Sequence, residues 1–334
     1  MEHDEPDLLE PGTVLPGGYV IEELLVQGQV NTAYVARSPE GERVAAHVLH
    51  RALVDDMGDW FQSGVMLRRS LHHPALPRTL AVGFIERNRP IEVTELLEGE
   101  TFRELIDNRS VPFAPAAVAR IVREIASALE YLHLRVPPVI HRALMPEYIF
   151  LSAPDGDVKL LGVGMADRPR FAVRRPPYQS PEELAGVSTF TPRTDVFSLA
   201  TLTFEMLTGH PAFSGSAGEV LTRMNPASLP SVTAWRAELP PRIDAVLHRA
   251  WSLTPDLRPA DTNDFATELS EIFRETIERG SPHRLETSPF SKVVVVRRRH
   301  AVLGDHTPVD ALAKKPSGEP PPELCPGALA LLEK

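Results

Sequence analysis

The sequence predicts an α+β protein of two lobes, a small β-rich first lobe with one main helix and a larger α-helical second lobe. Three observations carry this reading. The first hundred residues alternate short β-branched or aromatic runs with glycine-containing breaks, which is hairpin patterning. From about residue 116 onward, apolar side chains recur at helical spacing. At 334 residues, with 43% hydrophobic and 24% charged, the chain is long and apolar enough to fill two cores.

In chain order, residues 1–18 are acidic and rich in Pro and Gly, and read as a flexible leader. YVIEELL at 19–25, NTAYVAR at 31–37 and RVAAHVLH at 43–50 read as three strands of a small sheet. A helical stretch from about Asp55 to Leu71 ends at HHP, and TLAVGFIE and IEVTELLEG read as two further strands, closing the first lobe at 98. The second lobe, 99–279, opens at Gly99. Its helix at 116–134 aligns Val118, Ile121, Val122, Ile125, Leu129 and Leu132, and further helices are predicted at 195–209, 242–251 and 263–279. The second of these four is apolar on most sides and is expected to be buried. Residues 280–334 hold eight prolines with little periodicity and read as a Pro-rich, poorly ordered tail.

The formal charge of −10 argues against nucleic acid or an anionic membrane surface as partner, because both attract an excess of Lys and Arg. A single cysteine, Cys325, leaves no internal disulfide and no zinc pattern, and fits a reducing cytoplasm. The N-terminus MEHDEPDLLEPG lacks the basic and apolar regions of a signal peptide, and KVVVVRRR at 292–299 is too short to span a bilayer.

Five short motifs stand in one order: HRALMPEYIFL (141–151), VKLLGVG (158–164), YQSPEEL (178–184), TDVFSLATLTFEMLTGHPAF (194–213) and DLRPAD (256–261). Together with the order of elements they resemble the serine/threonine protein kinase family, most closely its bacterial branch, over residues 19–279. The resemblance implies a bilobal kinase-like fold, a catalytic loop at 141–148, a metal-binding turn at 162–164, and an ion pair between Glu182 and Arg258.

Phosphoryl transfer in this family rests on positioning and charge neutralisation by a glycine loop, a lysine held by a helix glutamate, two metal ligands and a catalytic aspartate. Carried over residue by residue, these parts are missing. The glycine loop reads VQGQVN at 26–31 and keeps only Gly28. The lysine is His47, mostly neutral near pH 7 given an unperturbed pKa of roughly 6.5. The helix glutamate falls on Gly64. In the loop, Ala143 replaces the proton-accepting aspartate, Met145 the usual lysine and Tyr148 the metal-binding asparagine, and Gly162 stands for the principal metal ligand. None of Ala143, Tyr148 or Gly162 offers a hard cation a carboxylate or amide oxygen. Binding of ATP and magnesium is therefore expected to be weak or absent, with no metal site. Val26, Met145, Tyr148 and Val163 make the old site apolar, which predicts a cleft filled by side chains.

What persists is architectural. The resemblance gives His141, Arg142, Glu182, Asp195 and Arg258 bracing roles. Gly28 and the hinge-like Glu95 to Leu97 are the residues that weakly suggest a nucleotide. The adjacent His72 and His73 read as the end of a helix, not as metal ligands. MADRPRFAVRRPP (165–177) contains no Ser or Thr, so an activating phosphate has no acceptor there, and Arg168, Arg170, Arg174 and Arg175 form a basic patch that is either solvated or a docking surface for an acidic or phosphorylated partner. The expected function is that of a pseudokinase: a non-catalytic scaffold or allosteric regulator of phosphorylation signalling whose partner is a protein, such as an active kinase or a phosphopeptide-binding protein. The alternatives are a noncanonical phosphotransferase of the same fold, using Asp155, Asp157 or Asp167, and a nucleotide-binding sensor.

Overall fold

The computed structural model describes residues 8–108, 112–166 and 176–279. A six-stranded sheet, ordered β1-β2-β3-β4-β6-β5, forms the first lobe from β1 (Val14–Leu15), β2 (Tyr19–Gln27), β3 (Asn31–Arg37), β4 (Arg43–Leu49), β5 (Thr79–Ile85) and β6 (Arg89–Glu95). Every pairing is antiparallel. Because side chains alternate along a strand, Val44, Ala46 and Val48 of β4 join Ile91 and Val93 of β6 in one apolar cluster. The intervening residues, Ala45, His47 and Leu49 with Glu92 and Thr94, share the opposite face. The register sets His47 opposite Glu92 and Ala45 opposite Thr94.

Helix α1 (Val54–Arg69) covers that second face. It buries Met57, Phe61, Gly64, Val65 and Arg68, a spacing of three to four residues that gives one stripe. Leu49, Met57, Phe61 and Val65 pack with Val30, from the tip of the β2–β3 hairpin, which is fully buried. The β2–β3 loop is thereby drawn against α1.

The flexible leader expected over 1–18 is corrected for residues 8–18. Val14 and Leu15 pair with Val20 and Tyr19, and Leu15 is 2% exposed in the sheet's apolar cluster. The Pro and Gly residues that suggested disorder make a tight reversal: Gly17 and Gly18 adopt φ of +83° and +80°, and Gly18 N donates to the Leu15 carbonyl. A left-handed pair of this kind is a turn signal when an apolar residue precedes it. The tail 280–334 and the arginines at 168, 170, 174 and 175 lie outside the described residues, as does Asp167.

The second lobe packs around α5 (Pro192–Thr208), every residue of which from Thr194 onward is buried. Around it lie α3 (Pro115–His133), α7 (Arg242–Ala250) and α8 (Thr262–Arg279). Three short helices, α2 (Phe102–Asp107), α4 (Pro181–Leu184) and α6 (Ala217–Arg223), are each opened by a capping box. A three-stranded sheet of β7 (Gly99–Thr101), β8 (Ile149–Ser152) and β9 (Asp157–Leu160) lies at the junction of the lobes. Here Lys159 Nζ reaches Glu95 Oε1 at 2.7 Å and Leu160 N donates to the Ala75 carbonyl. No described helix is long and apolar enough to cross a membrane.

Candidate functional site

The sequence-predicted residues converge where the underside of the first sheet meets the 141–148 loop and the 162–164 turn. The loop is built on one buried carboxylate. Asp195, in the first turn of α5, accepts from His141 N and Arg142 N, both at 2.8 Å, and lies 2.8 Å from His133 Nε2. His141 accepts from Ala143 N at Nδ1 and so donates from Nε2 to the Leu161 carbonyl at 2.8 Å, which joins the loop to the turn after β9. Its burial lowers its pKa, more than the Asp195 charge raises it, and the ring is a neutral strut. Arg142 has φ of +59° and lays its guanidinium 3.7 Å over the Phe190 ring.

Below this loop, Arg258 grips Glu182 through two bonds of 2.8 and 2.7 Å, while Thr194 donates to the same carboxylate. Burial raises the Glu182 pKa, but the Arg258 bonds and charge outweigh it and hold the carboxyl below its ordinary range. Its neighbour Glu183 behaves oppositely. Burial, with Asp195 nearby, pushes it up to about 7 against the Ser180 hydrogen bonds and Arg142.

The substituted loop and turn positions carry buried side chains, while Val26 is only half-buried. Met145 and Tyr148 are each 5% exposed and Val163 is 2% exposed. Two of the metal-ligand positions pack on each other: Gly162 has φ of +81°, and a Cβ there would stand 3.0 Å from Tyr148 Cγ. The ring thus occupies the space that a side chain at 162 would need. On the sheet side, His47 Nε2 lies 3.1 Å from the Thr94 hydroxyl, while its Nδ1 has no hydrogen-bond partner among the described residues. Desolvation lowers its pKa to about 4, with Arg68 adding to the fall and Glu92 opposing it, so His47 is neutral.

Gly64 is where the sequence reading is sharpened. A Cβ there would meet Arg68 Nη1 at 3.1 Å and the Gly164 carbonyl at 3.4 Å. The lost glutamate makes room for Arg68, whose Nη2 bonds Glu92 at 2.7 Å. Sequence reasoning missed this pair because a charge at the end of a helical stretch and a charge in the run IEVTELLEG, 24 residues on, meet only in the fold. The signal available was the alternation in β6, which sets Glu92 on the same face as Thr94. Behind the pair, a cavity of about 10 Å³ lined by Arg68, Leu71, Leu76, Leu160, Gly162 and Val163 has room for one water.

The weak nucleotide candidates have these contacts. Gly28 N donates to the Asn31 carbonyl, Leu97 is buried, and the Glu95 carboxylate accepts from Arg78 N and Lys159. His73 packs against the Tyr131 ring and reaches Ser127. Asp155 and Asp157 are exposed at the β8–β9 turn, seven and five residues before Gly162, or about 23 and 16 Å along an extended chain at about 3.3 Å per residue. Among the described residues no group of three His, Cys, Asp or Glu side chains converges as a metal site.

A second polar cluster was not foreseen. Arg103 donates to Tyr178 Oη at 2.7 Å, Glu205 at 3.0 Å and Glu147 at 3.2 Å, and Tyr178 donates to Glu205 at 2.6 Å. It borders an open cavity of about 540 Å³ lined also by Pro176, Pro177, Pro211 and Phe213.

The sequence profile described as the protein kinase domain matches residues 19–279. The chain is 30% identical over 244 residues to the serine/threonine-protein kinase PknL of Mycobacterium tuberculosis, covering 68% of this chain and 60% of that protein. It is 27% identical over 271 residues to PknB of Mycolicibacterium smegmatis, covering 76% and 43% of the two chains. The chain therefore spans only about half the length of these curated relatives. Among solved structures, the kinase domain of M. tuberculosis PknI superimposes with a TM-score of 0.65 at 23% identity, over 80% of this chain and 100% of that one, a likeness of fold.

Proposed function

The chain belongs to the protein kinase family, and from that premise we propose that it is a catalytically silent member, a scaffold or allosteric regulator in phosphorylation signalling. The observation that carries the reading is the Tyr148 ring packed on Gly162. Two positions at which the family holds metal are here a ring and the gap that the ring fills. Ala143 gives no proton acceptor and neutral His47 gives no cation for phosphate. The donor set does not fit magnesium, which needs several oxygens at near-octahedral geometry. No transfer step is derived through it.

Retained architecture supports a binding role. The Asp195 and Glu182–Arg258 braces and the Arg103 cluster hold the second lobe together although the catalytic side chains are gone. The partner class that fits is a protein, with the reducing cytoplasm as the setting. A phosphotransferase using Asp155 or Asp157 has no supporting geometry, since both carboxylates face solvent at the far end of β9.

A thermal-shift titration tests the reading. A ligand present at 100 times its Kd stabilises the native state by about 2.7 kcal/mol, which in a domain of this size raises Tm by roughly 5–10 °C. ATP, alone or with Mg²⁺ or Mn²⁺, is expected to leave Tm unchanged up to millimolar concentrations. A metal-dependent rise contradicts the proposal, and a metal-independent rise favours the nucleotide sensor.

A further inference from the structure

The family's lysine and glutamate are both gone, yet the region between α1 and the sheet holds a different buried ion pair. Arg68 lies one turn beyond Gly64 on the same face of α1. Its Nε stands 3.0 and 3.1 Å from the two Glu92 oxygens, and its Nη2 stands 2.7 Å from Oε2. The Arg68 side chain is 10% exposed and that of Glu92 is 1% exposed. Thr79 Oγ1 donates to Glu92 at 2.7 Å, and the remaining arginine arm, Nη1, donates to the Val163 carbonyl at 3.0 Å. One side chain therefore joins three pieces of the molecule: the helix, a central strand of the first lobe, and the turn of the second lobe that includes Gly162.

Two glycines stand at the junction. A Cβ on Gly164 would stand 3.4 Å from Gly64 Cα, and one on Gly64 would meet both Arg68 Nη1 and the Gly164 carbonyl. Helix and turn thus face each other beside the guanidinium with glycine on both sides. The third titratable group facing Glu92 is His47, directly opposite it in the sheet. A cation at 47 would set two positive groups against one carboxylate, and a neutral histidine bonded to Thr94 avoids this.

We propose that Arg68 and Glu92 form a lock of inverted polarity, with the cation on the helix and the anion on the strand, that docks α1 on the 162–164 turn without nucleotide or metal. Resting on the silent-member reading above, the consequence is that the outer surface of α1 is presented to a partner in one arrangement at all times. A buried pair that loses one member leaves an uncompensated charge, whereas losing both leaves an apolar contact. That asymmetry gives the test.

Hydrogen exchange read by mass spectrometry on the full chain compares Arg68→Leu, Glu92→Leu, the double variant Arg68→Leu/Glu92→Leu, and Arg68→Lys. The lock predicts that each leucine single variant loses protection in α1 and in residues 162–166 by at least about tenfold, with α3 and α5 unchanged. The double variant recovers most of that loss in α1. Arg68→Lys, which keeps the charge but lacks the forked guanidinium that serves Glu92 and Val163 together, falls between. If a single variant fails to fold, a folded double variant supports the lock and an unfolded one overturns it. Protection in α1 and the turn equal to wild type in Arg68→Leu, or a double variant as damaged as the sum of the singles, also overturns it. ATP with magnesium added to the wild type bears only on the preceding reading: binding there would count against the silent-scaffold reading and leave the lock to stand or fall on the variants.

Discussion

Restoring the aspartate at 162 alone is expected to damage the protein. At Gly162 the backbone has φ of +81°, which costs a residue with a Cβ about 1 kcal/mol. The new Cβ would stand 3.0, 3.1 and 3.2 Å from three atoms of the Tyr148 ring. That ring has little room to swing aside, because it is 5% exposed and packed in the second lobe's core, while bonds from Tyr148 N to the Met145 carbonyl and from Leu161 N to the Tyr148 carbonyl fix the backbone that carries it. Overpacking of this kind costs about 1–3 kcal/mol, so Gly162→Asp should lose roughly 2–4 kcal/mol in total, or on the order of 10 °C in Tm. Tyr148→Asn alone empties a buried site and should lose about 3 kcal/mol. In the double variant the clash disappears while the backbone strain remains. The loss should therefore be smaller than the sum of the singles by about 1–3 kcal/mol. Urea denaturation of the four proteins completes the cycle. Losses that add within about 0.5 kcal/mol would mean the two positions do not sense each other, and the filled-cleft argument would fail.

The remaining predictions concern the buried charges. Arg103→Met leaves Glu147 and Glu205 without their shared cation and should cost about 3–5 kcal/mol, seen as a fall in the urea midpoint, while Arg103→Lys should cost less. Glu183, raised from 4.5 to about 7, gives stability that is full below pH 4.5 and is lost as pH rises through about 7. Glu183→Gln should therefore gain on wild type across that window, by on the order of 3 kcal/mol, in denaturation curves taken at each pH. His47, lowered from 6.5 to about 4, has the opposite sign: its contribution is present above pH 6.5 and is lost as pH falls toward 4, so His47→Asn should gain on wild type in acid.

The order of elements was legible because long helices and alternating strands carry their own periods. Residues 116–134 became α3 at Pro115–His133 and 43–50 became β4 at Arg43–Leu49. Strands of two to four residues such as β1, β7 and β9 have no room to show a period, and α2 and α6 span fewer than two turns, so caps and tertiary contacts decide them. The positions of the site were legible through resemblance: His47, Gly64, Tyr148 and Gly162 all lie at the junction of the lobes. Their coupling was not. The Tyr148 ring against Gly162 joins positions 14 residues apart, and Arg68 against Glu92 joins a helix to a strand 24 residues on, so neither contact shows in the local sequence. The leader was misread because Pro16-Gly17-Gly18 has the composition of disorder and the geometry of a turn.

The central claim is that this kinase fold does not transfer phosphate. It is tested most directly by incubating the full chain with ATP labelled at the γ-phosphate, with Mg²⁺ and separately with Mn²⁺, alone and with a general protein substrate. The account predicts no label on the chain or on the substrate above a heat-denatured control. Metal-dependent incorporation that grows with time would contradict it.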